Sequence, residues 1–487
     1  MQNTKLILLL KTFSREELKR FGDFVQSPYF NKREAPINLY KILVPLYPDF
    51  ENLKWEKIFK KAFPNKPAYN EAYLRNVLSD LYELALGFFR QDVAEKNQTE
   101  GEFTCVSKLI YRQLFKQAEQ HLEQIREWIE KSRLENDDNA LWAEYYTYKM
   151  ILYDRSEERQ AYSEAHQQKV NHWEKAIWEK IISLIYETET DKKTYHNFSY
   201  QTESLKKLLT LFEVEKYADT PTILATYYCA LLTTNPNWET FDKLHLLLQT
   251  QKEAMLDRQV YSSYQALLAY ISRLMRHSLH NGELVPLQMK LLQNSVDLRE
   301  KNKLHLNESH YISIACNGYD LYGSDWAKQY IDDNASKLLP YLQEPLPIYC
   351  KAAVCFNEKK YTEALYLFAS LPNFRSEVYF SIKPYMLMCY YEIGDNDAAD
   401  LLFDTLKKTF KNHPDLSVGS KEALHNFILL YGQFIKLHLQ GCDLDSIALL
   451  KKSIESPDAP LFAKQWFWEK VNTLEVKKRQ VNHILAQ

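Results

Sequence analysis

Glycine is nearly absent from this chain: 10 residues among 487, roughly 2%, where an average protein carries about 7%. Proline, at 17, is also sparse. Short strands need frequent Gly and Pro turns, so sandwiches and barrels are excluded. The seven cysteines (Cys105, Cys229, Cys316, Cys350, Cys355, Cys389 and Cys442) are odd in number, scattered, and contain no C-x-x-C. That excludes a disulfide scaffold and reads as free thiols in a reducing compartment. Cys350 and Cys355 stand five apart, which on a helix points them to different faces. There is no excess of charge either: 61 Lys and Arg against 64 Asp and Glu provide no global field to steer nucleic acid or an anionic membrane. The apolar run Leu6-Ile7-Leu8-Leu9-Leu10 is too short for a signal-peptide core, and no stretch approaches the ~20 apolar residues of a membrane span. The expectation is a cytoplasmic protein without membrane contact.

Chemistry-bearing motifs are missing as well. There is no P-loop, no dinucleotide fingerprint, no G-x-S-x-G and no H-E-x-x-H. The nearest approach to a glycine-rich loop, Gly318-Tyr319-Asp320-Leu321-Tyr322-Gly323, has no Lys-Ser/Thr after it. His277 and His280 fall on one helix face with Glu283 a turn on, but a further metal ligand is not evident and a solvated helix end accounts for them. His166, His172, His305 and His310 lack ligand spacing. The reading is a non-enzyme with no catalytic, cofactor-binding or metal-binding residues.

What is present is helix. Hydrophobic residues make up 46% and aromatics 14%, with 34 Tyr, 24 Phe and 9 Trp. Ser14 before Arg15-Glu16-Glu17 is a capping box, and Leu18, Phe21, Phe24 and Val25 follow at helical spacing. Further helices are predicted over about 34–46 and from Trp55 to Phe63, and a long one starts behind the cap Asn70. The polar stretch 95–101 is the best linker. Beyond it, residues 104–134 are in continuous helical register up to Asn136-Asp137-Asp138-Asn139, followed by helices at about 140–154, 157–187 and 199–215.

From about residue 218 a repeat emerges. Tight turns recur at Pro236-Asn237-Trp238, Asn281-Gly282-Glu283-Leu284, Ser324-Asp325-Trp326, Lys359-Lys360-Tyr361, Gly394-Asp395-Asn396 and Gly441-Cys442-Asp443-Leu444, each followed by a helix. Units of this length build stacked superhelices. Tyr361-x-x-Ala364-x-x-x-Phe368 and Gly394-Asp395-Asn396-x-x-Ala399-x-x-x-Phe403 resemble the second helix of tetratricopeptide repeats. Ala352 and Leu387 stand where that family packs small or aliphatic residues in the first helix.

A second resemblance covers most of the chain. Leu9-Leu10-Lys11-Thr12-Phe13-Ser14, Ser27-Pro28-Tyr29-Phe30-Asn31-Lys32, Phe59-Lys60-Lys61-Ala62-Phe63-Pro64 and Leu74-Arg75-Asn76-x-Leu78-Ser79-Asp80-Leu81 look like the opening of a family of uncharacterised helical proteins common in Bacteroidota. It implies an N-terminal helical module followed by tetratricopeptide-like helices, and no activity. Residues 53–81 also resemble part of the winged-helix domain of bacterial antibiotic-regulatory activators that carry tetratricopeptide repeats. Against this, residues 88–101 do not alternate as a wing hairpin would, and the recognition-helix equivalent carries Glu71, Asp80 and Glu83 against Arg75 and Arg90. Lys54, Lys57, Lys60, Lys61 and Lys66 read as the solvated side of an amphipathic helix.

The sequence reading is therefore an all-α protein. It comprises an N-terminal helical bundle (1–95), long helical hairpins (102–216), a tetratricopeptide-like α-α superhelix or solenoid (217–456) and a C-terminal capping helix (457–487). Phe462, Trp466, Leu474 and Val481 supply the apolar side of that cap, and Trp466-Phe467-Trp468 is either part of it or a docking site. The expected function is a protein–protein interaction scaffold or adaptor that captures a protein or peptide partner. The alternative is a DNA-binding transcriptional regulator, although nucleic acid is not the expected partner. The matched register places Tyr349, Ala353, Phe356, Met388 and Tyr391 on the groove formed by the first helix of each hairpin.

Overall fold

The computed structural model describes all residues except 1–3, 51–52, 97, 133–138, 195–199, 279–280, 373–377, 411–417, 441–442, 457–459 and 486–487. Every regular element among the described residues is helical. The chain divides into two compact units, one of residues 1–131 and 141–169, the other of 132–140 and 170–487.

The first unit begins with α1 (Lys5–Leu10), α2 (Arg15–Gln26), α3 (Glu34–Leu43), α4 (Trp55–Ala62) and α5 (Glu71–Lys96). The capping box forms as the sequence reads: the Glu17 amide donates to Ser14 Oγ at 3.1 Å and the Ser14 amide to Glu17 Oε2 at 2.7 Å. Asn70 caps α5 by accepting from the Tyr73 amide at 2.9 Å. Phe13, Phe21, Phe24 and Phe88 meet in one core. The five lysines from Lys54 to Lys66 are exposed.

Two expectations need correction here. The stretch 95–101 is helical wherever it is described, because α6 (Gln98–Tyr111) begins directly after α5. Residues 104–134 are not one helix. Gln113 adopts φ 63°, which ends α6, and α7 (Phe115–Ser132) starts anew. Apolar periodicity continues across the break because both helices feed one core of Phe103, Val106, Leu122, Ile125, Ile129 and Tyr145, the last from α8 (Asn139–Arg155). Asn136, Asp137 and Asp138 lie outside the described residues. Next come α9 (Arg159–Thr194) and a short α10 (Glu203–Leu208), with 3-10 turns at Leu209–Leu211 and Val214–Tyr217 where a helix to 215 is predicted.

The second unit contains six helix pairs and a terminal helix. They are α11 (Pro221–Thr234) with α12 (Trp238–Gln251), α13 (Asp257–His277) with α14 (Leu284–Lys301), and α15 (Glu308–Tyr322) with α16 (Ser324–Asn334). Then follow α17 (Pro345–Asn357) with α18 (Tyr361–Ser370), α19 (Tyr379–Ile393) with α20 (Asn396–Phe410), α21 (Val418–Gln440) with α22 (Leu444–Glu455), and α23 (Lys464–Leu485). The predicted turns at 236–238, 281–284, 359–361 and 394–396 fall at helix breaks, whereas Ser324-Asp325-Trp326 already forms the first turn of α16, the break there being Gly323. Asn237 and Asp443 cap α12 and α22 through the Thr240 and Ser446 amides at 2.9 and 2.6 Å. Gly394 closes α19 with φ 81°, a conformation only glycine adopts without strain. Gly441 and Cys442 lie outside the described residues.

Successive first helices also pack on one another, α11 on α13, α15 on α17 and α17 on α19. Ala352 and Leu387 of the first helices α17 and α19 are buried, as are Ala364 and Ala399 of the second helices α18 and α20. The terminal helix α23 covers the last pair. Phe467 is fully buried against Phe427 and Phe434, and Trp466 Nε1 donates to Glu392 at 2.7 Å. Trp468 is half-buried, so this triplet is mostly core; the Val481 side chain lies outside the described residues.

Candidate functional site

The side chains expected on the groove are interior. Tyr349, Phe356 and Met388 are buried, as is Ala353, and Tyr391 is half-buried against Phe434, His438 and Trp466. Their spacing marks the helix face that meets the neighbouring hairpin, and the register alone does not distinguish that face from an open one. Tyr349 lines a cavity of about 540 Å³ in the second unit.

This cavity is assembled by helix ends. The last turn of α13 contributes Met275 and Arg276, the start of α19 contributes Phe380 and Pro384, the start of α21 contributes Gly419, Ser420, Ala423 and Leu424, and the approach to α23 brings Leu461 to Lys464. The walls are predominantly apolar. Tyr349 Oη and Ser381 Oγ share a 2.8 Å hydrogen bond, and burial drives the Tyr349 phenol well above its ordinary pKa, so it stays neutral.

Lys464 is the unusual group. It is only 6% exposed, and its Nζ donates to the His277 carbonyl at 2.8 Å and, more weakly, to the Ser456 carbonyl at 3.5 Å. The first bond lies at the C-terminal end of α13, where a cation is favoured. Burial pushes the Lys464 pKa down, with Glu455 opposing. The residue before it, Ala463, has φ 56°, a left-handed conformation that costs a non-glycine residue of order 1 kcal/mol. Asn281 Nδ2 donates to the Met275 carbonyl at 3.3 Å, which fixes the amide orientation and leaves its buried Oδ1 without a hydrogen-bond partner.

No cluster of three or more His, Cys, Asp or Glu that could hold a metal occurs among the described residues. His280 lies outside them. His310 is buried, with Nε2 3.1 Å from Gln265 Nε2; burial, aided by Arg299, lowers its pKa to about 4. The thiols of Cys229, Cys350, Cys355 and Cys389 are buried and pushed above their usual pKa by that burial. None is poised as a nucleophile.

In the first unit, the described residues of 88–101 are helical. Arg75 pairs with Glu71 at 2.5 Å, and Asp80 with Arg33 at 2.6 Å. No described helix is long and apolar enough to cross a membrane. The chain matches no protein-family model, no curated protein and no solved structure.

One surface feature was not anticipated from the sequence. In α18, α20 and α22 the fourth residue of the helix is buried (Ala364, Ala399, Ile447) and the sixth is a large apolar residue in solvent. Tyr366, Leu401 and Leu449 are 74%, 74% and 69% exposed. A single exposed leucine is ordinary; the same exposed position in three successive hairpins is not. The signal was available in the aligned turns, since each residue stands five after the helix start.

Proposed function

We propose that this chain is a protein–protein interaction scaffold, and that its six hairpins stack as a tetratricopeptide-like, right-handed superhelix. The observation that carries the reading is the recurrence of Tyr366, Leu401 and Leu449 at one position of three consecutive second helices. Such a row supplies apolar anchors at regular intervals, which suits an extended or helical partner segment with matching apolar residues. It moves the contact surface from the first helices, whose aromatic side chains are occupied as core, to the second. The recurrent pairing of helices, the packing of first helix on first helix and the α23 cover support the superhelix.

The test is capture from the native host followed by mass spectrometry, comparing the wild-type chain with Tyr366→Ser/Leu401→Ser/Leu449→Ser. Exposed substitutions of this kind should leave the melting temperature within about 1 °C. Partners retained by the wild type and lost with the triple variant support the proposal. An unchanged set of captured proteins refutes it.

A further inference from the structure

The 540 Å³ cavity has an electrostatic character that the interaction role does not require. Its described lining contains two cationic side chains, Arg276 at the rim and Lys464 inside, and not one carboxylate, in a chain where Asp and Glu outnumber Lys and Arg. The first turn of α21 lies in the same wall, with Gly419 and Ser420 both lining it. A helix start adds positive potential there. Arg276 sits against this turn: a Cβ built on Gly419 would lie 3.9 Å from its Cζ.

We propose that the cavity binds a small amphipathic organic anion. Its apolar or aromatic body lies among Phe380, Pro384, Leu424 and Phe462, its acidic head reaches the Lys464 ammonium, and a hydrogen-bond donor on it satisfies Asn281 Oδ1. The volume is that of an ordinary small-ligand site, and a few polar groups converge within apolar walls, as such sites require. Lys464 has three N–H bonds. One is committed to His277, a second weakly to Ser456, and the remaining proton is available to an anion. Asn281 cannot be satisfied by turning its amide, because Nδ2 is already committed to Met275. Ala463, directly before Lys464, is left-handed, a placement of local strain common at ligand sites. This inference goes beyond the scaffold reading and stands without it.

The probes are anilinonaphthalene sulfonate and its neutral analogue phenylnaphthylamine, titrated by fluorescence into the full chain. The anion is expected to saturate one site per chain and to bind about tenfold more tightly than the neutral analogue, the worth of one charge-assisted hydrogen bond. Lys464→Met keeps the apolar stem and removes the charge, so anion affinity should fall about tenfold while phenylnaphthylamine binding stays unchanged. Ser420→Trp fills the cavity and should abolish both with the melting temperature retained. If Lys464→Met does not fold, the anion-to-neutral ratio and Ser420→Trp decide the matter. The proposal is overturned by absence of saturable anion binding, by equal binding of the two probes, or by wild-type binding in Ser420→Trp.

Discussion

Replacing Gly318 with alanine sets two effects of opposite sign against each other. Gly318 lies inside α15, where alanine is intrinsically better than glycine by about 1 kcal/mol. The structure places that position against α16: a Cβ would lie 1.9 Å from Trp326 Cζ3 and 2.4 Å from Cε3. Relieving this requires the indole to move by roughly 1.5 Å or more to reach ordinary contact. Trp326 is stacked on Tyr330 at 5.5 Å and 3°, an arrangement worth about 0.5–1.5 kcal/mol beyond its burial. Overpacking adds about 1–3 kcal/mol. The clash wins, and Gly318→Ala should destabilise the protein by about 1–3 kcal/mol net. The control is Gly101→Ala, a helical position with nothing within 4 Å of the added Cβ, which should stabilise by about 0.5–1 kcal/mol. Differential scanning calorimetry on both, and on Gly318→Ala in a Trp326→Leu background, reads the outcome. In that background the cost should vanish or reverse. A Gly318→Ala melting temperature raised as much as that of Gly101→Ala would refute the reasoning. So would an undiminished cost without the indole.

Phe467→Ala should cost about 3–5 kcal/mol in the same scans because Phe467 is fully enclosed, whereas Trp468→Ala, half-exposed, should cost less; equal small losses would contradict the covering role of α23. His310 is held near pKa 4 in the folded chain against 6.5 for its ordinary value, so its contribution is fully present above about pH 6.5 and is lost as pH falls toward 4. Stability measured across that range should fall less steeply in His310→Gln, and identical slopes would contradict a buried neutral imidazole. Among the described cysteines Cys105 is the exposed one, and a native-state thiol reagent should modify it before Cys229, Cys350, Cys355 and Cys389, which mass mapping of the labelled chain checks.

The helix boundaries were legible because turn chemistry is local. Asn237, Gly394 and Asp443 announce helix boundaries through their own backbone preferences, and the buried Ala364 and Ala399 follow from a fixed offset. The occupied side of each first helix was not legible: Phe356 and Tyr391 carry the same spacing whether a neighbour or solvent faces them. Gly318 and Gly323 resemble a glycine loop in sequence. One is a helix crossing point and the other a cap with φ 90°, and only the position of Trp326 separates the two roles. The break at Gln113 was hidden by apolar spacing that runs through it. Lys464 was invisible for a different reason. Its partner His277 lies 187 residues away, and nothing around a lysine in sequence declares that it will be buried.

Amide hydrogen–deuterium exchange on the chain alone and in complex with a captured partner reads binding at the row formed by Tyr366, Leu401 and Leu449. The complex should slow exchange in peptides covering α18, α20 and α22, with α1 to α5 unchanged. Protection confined to α1–α5, or protection that persists in full when all three residues are serine, would contradict it.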